Sequence, residues 1–193
     1  MANSLRTLPS LRSKYSFEPY DPIYPELFDQ EQEYLKQLKL INPHIYHIGS
    51  TSIPGVGGKG VIDILITVDG SQLARSSQQL IKAGYEFRES GGEKDRLFHQ
   101  KEVNGRRYHV HLSPYNAESA IRAVAFRDYL RTDQQLAQSY SDIKMEAAKQ
   151  ALKQDTKDAM KQIYAETKAP VIEQILEKVK LYINDNIDSY SNI

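Results

Sequence analysis

Residues 47–68 read HIGSTSIPGVGGKGVIDILITV, and they carry the clearest structural signal in the sequence. It starts at the end of a short strand that we predict over 44–48. Residues 49–60 then hold five glycines, one proline and three hydroxyl residues in twelve positions, a composition typical of a loop. Residues 61–68 are almost wholly apolar and β-branched, and they predict a central strand that is buried on both faces.

The turn formed by Gly49, Ser50 and Thr51 carries groups that suit an anion. Glycine lets the backbone come close to a ligand, and hydroxyls with free N–H groups at such a turn can hold phosphate oxygens. Lys59 closes the same loop and needs little burial to reach a bound anion, although the loop does not follow the P-loop pattern. The alternative interpretation is a purely structural loop, and the spacing alone leaves both open.

Asp63 is a carboxylate inside an otherwise apolar strand. An unpaired carboxylate there would be unfavourable, and its neighbours on the same strand face, Val61 and Leu65, are apolar. We therefore expect Asp63 to find its partner on another element. It is either a ligand-binding and catalytic group or a buried residue that accepts hydrogen bonds from backbone N–H groups.

The segments on either side of this stretch complete an α+β pattern. A stripe at helical spacing predicts a helix over 26–40, and another predicts a helix over 71–83 with Leu73, Leu80 and Ile81 facing inward. A candidate strand covers 85–88. Asn104-Gly105 is a strong two-residue hairpin signal between strands at 96–103 and 106–112.

From residue 118 to about residue 185 the sequence shows only helical spacing. Interruptions are expected near Thr132-Asp133, at Asp155 and at Ala169-Pro170. We predict an α+β core over 1–115 and a helical lobe over 116–193, packed together as one compact unit.

The composition excludes several kinds of chemistry and argues against two kinds of partner. The 193 residues include 25 basic and 25 acidic side chains and no cysteine, so disulfides, thiolate metal sites and a cysteine nucleophile are excluded. The balanced charge makes nucleic acid an unlikely partner. No run approaches the roughly 20 apolar residues of a membrane span, and the first residues lack a signal-peptide core. We expect a cytoplasmic protein without a membrane partner.

Five segments together resemble the GrpB family, within the nucleotidyltransferase-fold superfamily. Besides residues 47–68 they are YDPIYPELFDQEQEYL near the start, RRYHVHL in the middle, FRDYLR at 126–131 and YAETKAPVIEQIL at 164–176. The resemblance covers about residues 15–177. It implies a nucleotidyltransferase-like mixed sheet flanked by helices, with an α-helical C-terminal part. Some relatives are fused to dephospho-coenzyme A kinase, which implies a nucleotide or coenzyme A context.

The superfamily's active members place a G-S or G-G turn before an Asp-x-Asp/Glu strand, and a third carboxylate on a later strand. These carboxylates bind two divalent metals that hold a nucleotide triphosphate. By this resemblance Gly49-Ser50 matches the turn and Asp63 the first carboxylate. The second carboxylate position is Leu65, which puts two-metal chemistry in doubt.

His109 and His111 lie two apart in the second arm of the predicted hairpin and therefore share one strand face. If that strand lies beside 61–68, the two histidines and Asp63 could bind one divalent metal, Mg, Mn or Zn. The alternative is two half-exposed histidines on a sheet face. We expect His47 to brace the turn, and His99 to be a surface residue.

Arg96 and Arg127 complete the candidate phosphate-binding groups, since guanidinium forks fit phosphate oxygens. The alternatives are a charged edge strand for Arg96 and a solvated helix face for Arg127. The sequence thus predicts a protein that binds a nucleotide or another phosphorylated small molecule, with Asp63 and Lys59 as catalytic residues if it transfers a nucleotidyl group. The alternative is a non-catalytic nucleotide- or coenzyme A-related binding or regulatory module on the same fold. The oligomeric state is left open.

Overall fold

The computed structural model describes residues 15–89, 92–191 and 193, and its centre is a mixed sheet of five strands. The strands lie in the order β1-β2-β5-β4-β3, with β2 and β5 parallel and the other neighbours antiparallel. Their bounds are β1 His44–Ile48, β2 Ile62–Val68, β3 Glu86–Phe87, β4 Leu97–Val103 and β5 Arg106–Pro114. The predicted α+β fold with a buried central strand is confirmed, because every residue of β2 except Asp63 is buried.

Within the described residues, six α-helices surround the sheet. They are α1 Tyr24–Gln37, α2 Leu73–Lys82, α3 Glu118–Thr132, α4 Gln134–Leu152, α5 Lys157–Asp185 and α6 Ile187–Tyr190. Two of the predicted interruptions are confirmed by side-chain caps, Asp133 before α4 and Thr156 before α5. No helix in the described ranges has both the length and the apolar character that crossing a membrane requires.

The third predicted interruption is wrong, because Pro170 lies inside α5. A proline removes one helical hydrogen bond. Here the helix is held on both sides of it, since Tyr164 is buried against α4 and Ile175 is buried in a larger apolar cluster. Tertiary packing therefore outweighs the local signal.

The two faces of the sheet are covered differently. Ile62, Ile64 and Ile66 point to the face that packs on α1 and α2. Alternation along β2 sends Leu65 to the opposite face, where it joins a cluster with α3, α4 and α5. The division into an α+β core over 1–115 and a helical lobe over 116–193, packed as one compact unit, stays a prediction.

Two side chains lie where the sequence analysis did not expect them. Ile81 is 48% exposed rather than inward, because the inner face of α2 is formed by Ser76 and Leu80. His99 is fully buried rather than on the surface. Its Nε2 is 2.9 Å from Ser77 Oγ, and burial lowers the pKa of His99 to about 4, so the ring is neutral at physiological pH.

Candidate functional site

The turn after β1 brings Gly49 directly against Asp63. Gly49 has a φ of +70°, and a Cβ at this position would lie 2.5 Å from Asp63 Oδ2. Only glycine therefore satisfies both the backbone and the close approach of the carboxylate. The turn continues as a short 3₁₀ segment, Ser50–Ser52.

Both histidines of β5 reach Asp63. In the parallel pairing, Asp63 lies beside His109, and His111 is two residues further along β5. His109 Nδ1 is 3.2 Å and His111 Nε2 is 3.5 Å from Asp63 Oδ1. Burial alone would raise the pKa of Asp63, but the hydrogen bonds from His109 and His111 hold it below its usual value. An ionised carboxylate only accepts hydrogen bonds, so His109 Nδ1 carries a proton.

This arrangement does not fit the predicted metal site. Among the described residues, no group of three or more His, Cys, Asp or Glu side chains is placed to hold a metal ion. The His109 nitrogen nearest to Asp63 is engaged by the carboxylate at 3.2 Å and is therefore not a free ligand atom. Leu65, at the second carboxylate position, is fully buried in the apolar cluster. The metal at Asp63, His109 and His111 therefore stays a prediction that the donor set does not support.

Asp63 instead lies at a small cavity rich in lysine, which we call the lysine pocket. Its volume is about 230 Å³. Three lysines from separate elements line it: Lys59 from the loop, Lys144 from α4 and Lys168 from α5. Against them the described lining residues include a single carboxylate, that of Asp63. The remaining lining residues are Gly49, Ser50, Val61, His109, Tyr140 and Tyr164.

Aromatic rings hold the three ammonium groups in place. Lys144 Nζ is 5.1 Å from the centre of the Tyr140 ring. The Tyr164 ring contacts two cations, with Lys59 Nζ at 4.0 Å and Lys168 Nζ at 4.2 Å from its centre. Each such contact contributes about 0.5–2 kcal/mol. The rings thus keep the three ammonium groups close together, and a bound anion would neutralise their combined positive charge.

Lys144 is the most buried of the three. It is 6% exposed. Its ammonium group lies against Gly58, where an added Cβ would be 2.5 Å from Lys144 Nζ and 2.8 Å from Ser50 Oγ, so only glycine leaves room for both side chains. Burial, with smaller contributions from Lys168 and Lys59, lowers the pKa of Lys144 to about 7, although Asp63 acts in the opposite direction. Near neutral pH this lysine is therefore only partly charged, and a bound anion would favour the charged form.

The Thr51 hydroxyl is engaged within the fold, and a contact between this residue and phosphate stays a prediction. Its hydroxyl donates to Val61 O at 3.0 Å and accepts from His47 Nε2 at 3.0 Å. His47 is stacked on Phe28 with ring centres 4.6 Å apart, and burial lowers its pKa to about 4. As predicted, His47 braces the turn.

The two predicted arginines are also engaged elsewhere. Arg127 donates to His47 O at 2.9 Å and to Asp128 Oδ1 at 2.7 Å. Arg96 pairs with Glu93 at 2.5 Å. Neither lines the lysine pocket. The guanidinium groups that the sequence suggested as phosphate ligands instead hold loops and helices in position.

Lys144 and Lys168 are not among the site residues predicted from the sequence. A signal for them does exist, because α4 and α5 each carry the spacing Tyr-x-x-x-Lys, at Tyr140–Lys144 and at Tyr164–Lys168. Residues four apart lie on one helix face. Both pairs face the same cavity, and the repeated pattern is therefore a usable marker of this pocket.

The sequence pattern of the family described as GrpB protein matches residues 14–178. The chain belongs to the GrpB family. This GrpB-family chain is 36% identical over 135 residues to UPF0157 protein YqkA of Bacillus subtilis, a match that covers 68% of this chain and 39% of YqkA. It thus spans well under half of that relative's length. It is 29% identical to UPF0157 protein BH1888 of Halalkalibacterium halodurans, over 82% of this chain and 79% of that one.

A solved structure from the same family is also similar to this chain. The crystal structure of conserved protein GrpB from Enterococcus faecalis matches with a TM-score of 0.65 at 30% identity, over 80% of this GrpB-family chain and 98% of that chain. The Cid1 poly(U) polymerase bound to Mg 3'-dATP is similar with a TM-score of 0.48 at 13% identity, over 69% of this chain and 44% of that chain.

Proposed function

We propose that the lysine pocket binds the phosphate group of a small phosphorylated molecule, with nucleotides as the favoured class. The observation that carries the proposal is the convergence of Lys59, Lys144 and Lys168 on one cavity beside the Gly49-Ser50 turn. A cleft lined by one sign of charge attracts ligands of the opposite sign. Lys144 is the strongest single support, because burying an ammonium group among other cations is unfavourable and a bound anion would pair with it.

The donor set favours binding over metal-dependent nucleotidyl transfer. Two-metal chemistry needs several carboxylates, and here Leu65 stands at the second position while Asp63 is engaged by two histidines. The ammonium groups would supply the positive charge that metals supply elsewhere. A binding or regulatory role is therefore the better-supported function, and nucleotidyl transfer by Asp63 and Lys59 is the second candidate.

Replacing Lys168 tests the proposal with little risk to the fold. In Lys168→Met the affinity for inorganic tripolyphosphate should fall about fivefold, because one charge near the ligand is worth roughly 1 kcal/mol at an effective dielectric constant of about 20 and with salt screening. Isothermal titration calorimetry at low ionic strength measures the change.

Lys161→Met is the matched control, since Lys161 lies on the same helix but is exposed and outside the pocket. Its affinity for tripolyphosphate should equal that of the unmodified protein. Equal losses in both variants would show that only overall charge matters. The proposal is wrong if neither tripolyphosphate nor nucleoside triphosphates bind at millimolar concentration.

The pocket should also bind anions more tightly at lower pH. Lys144 has a pKa of about 7 in the free protein, so it is mostly charged below pH 7 and loses its proton as the pH rises. An anion binds the charged form better, and its affinity should therefore fall as pH rises from about 6.5 to about 8.5. Sulfate is the suitable probe, because its own charge is constant over this range.

Lys144→Arg is the control for this pH dependence. A guanidinium group does not lose its proton in this range, so sulfate affinity should become nearly independent of pH. If the full slope persists in Lys144→Arg, another group is responsible for it.

A further inference from the structure

A second, larger cavity continues from the lysine pocket. It has a volume of about 530 Å³ and shares Lys59, Val61 and His109 with the lysine pocket. We call it the sheet groove. Ligand sites for small molecules usually measure about 300–1,000 Å³, so the lysine pocket alone is small for a complete ligand, while the sheet groove falls within this range.

The groove lies on the part of the sheet that α3, α4 and α5 leave uncovered. Alternation along β4 places Phe98, Gln100 and Glu102 on this face, and along β5 it places Arg107 and His109 there. Gln100 pairs with His109 in the strand register, and Glu102 pairs with Arg107. Because His109 also lies beside Asp63, the groove begins where the lysine pocket ends.

The wall of the groove offers a flat apolar surface next to groups that form hydrogen bonds. The Phe98 ring lies 4.9 Å from that of His109 and 5.3 Å from that of His111. Tyr15 lines the end near Lys59. Arg107 reaches Lys59 O at 3.4 Å with one of its five N–H donors. An aromatic face beside donors and acceptors suits a planar ring with polar edges.

Some of the polar groups on this wall are already engaged. Gln100 Nε2 donates to Glu86 Oε2 at 2.8 Å, whereas the Lys101 ammonium group lies on the opposite face of the sheet, 2.6 Å from Glu31 Oε1. The carboxylates of Glu86 and Glu102 line the groove beside Lys59 and Arg107, so its positive charge is lower than that of the lysine pocket. The two cavities therefore suit different parts of one molecule, an anionic part and an uncharged ring.

We propose that the sheet groove holds a nucleoside-like ring of the same ligand whose phosphate lies among the lysines. This proposal rests on the phosphate-binding function of the lysine pocket. It predicts that the ring is stacked against Phe98 and contacts Arg107, while the phosphates extend past His109 towards Lys144 and Lys168.

The experiment compares inorganic tripolyphosphate with ATP, CTP, GTP and UTP by calorimetry. At least one nucleotide should bind about tenfold more tightly than tripolyphosphate, because a ring stacked on an aromatic side chain adds substantially to affinity. In Phe98→Leu this gain should fall about fivefold, whereas tripolyphosphate affinity should not change. Phe98→Tyr keeps the ring and should keep the gain.

Phe87→Leu is the matched control, because the Phe87 ring contacts His99, which belongs to the opposite face of the sheet, and Phe87 does not line the groove. It should leave both affinities unchanged. If tripolyphosphate and all four nucleotides bind equally well, the groove proposal is overturned while the lysine pocket survives. If nucleotide affinity is tighter but insensitive to Phe98→Leu, the ring lies elsewhere and the proposal is again overturned. Failure of tripolyphosphate itself to bind would instead refute the phosphate site.

Discussion

Lys144→Met should remove most phosphate binding and at the same time stabilise the fold. The two effects have one cause. Lys144 is 6% exposed, and its burial together with Lys168 and Lys59 lowers its pKa to about 7. The folded protein therefore disfavours this charge, and the charge becomes favourable only when an anion is bound.

The expected loss of affinity and gain in stability follow from values that are typical of buried charges in proteins. Removing one partner of a buried, desolvated charge contact weakens binding by about 2–5 kcal/mol, so the affinity for tripolyphosphate should drop roughly a hundredfold. Replacing buried charges by apolar residues of similar volume often stabilises a protein by about 1–4 kcal/mol. Methionine is close to lysine in length and adapts to irregular spaces. The midpoint temperature of thermal unfolding should rise by about 2–4 °C for each kcal/mol of added stability in a chain of this size.

Calorimetry and thermal unfolding of the same sample test both effects. Lys149→Met is the control, because Lys149 is exposed on the same helix and lines neither cavity. It should change neither quantity appreciably. A Lys144→Met protein that unfolds at lower temperature and still binds tripolyphosphate would show that Lys144 is a structural residue.

Most of the sheet could be predicted from the sequence, because its signals are local. The apolar run at 61–68 and the Asn104-Gly105 hairpin need no distant contact to be recognised. The error at Pro170 has the opposite origin. There the local rule for proline is outweighed by burial of Tyr164 and Ile175, and that burial depends on the whole helical lobe.

The candidate site was only partly predictable for the same reason. Ser50, Lys59 and Asp63 lie close together in the chain, and all three line the lysine pocket. Lys144 and Lys168 arrive from α4 and α5, and their position follows from how these helices cross the sheet. Thr51, Arg96 and Arg127 have suitable chemistry for phosphate, yet they satisfy hydrogen bonds within the fold, which composition and spacing do not reveal.

Asp63→Asn separates an electrostatic pocket from a metal-dependent one. Without a metal, Asp63 places a negative charge at a cavity that we expect to hold an anion. Its removal should strengthen sulfate binding about tenfold, since one charge at about 6 Å and an effective dielectric constant of about 20 is worth roughly 1–3 kcal/mol before screening. If Asp63 instead holds a metal that bridges to phosphate, the same change should weaken binding in the presence of Mg²⁺ or Mn²⁺.

The measurement is best made at about pH 6. Asp63 raises the pKa of Lys144, so its removal lets Lys144 lose its proton more readily, and at higher pH this would hide the gain in affinity. Asparagine keeps an oxygen that accepts the hydrogen bond from His109, and its size matches that of aspartate, so the close packing against Gly49 should be preserved. Sulfate affinity should rise equally with and without added Mn²⁺. The lysine-based pocket would be contradicted by anion binding that needs Mn²⁺ in the unmodified protein and disappears in Asp63→Asn. This holds for sulfate and for tripolyphosphate. Such a result would restore Asp63, His109 and His111 as metal ligands.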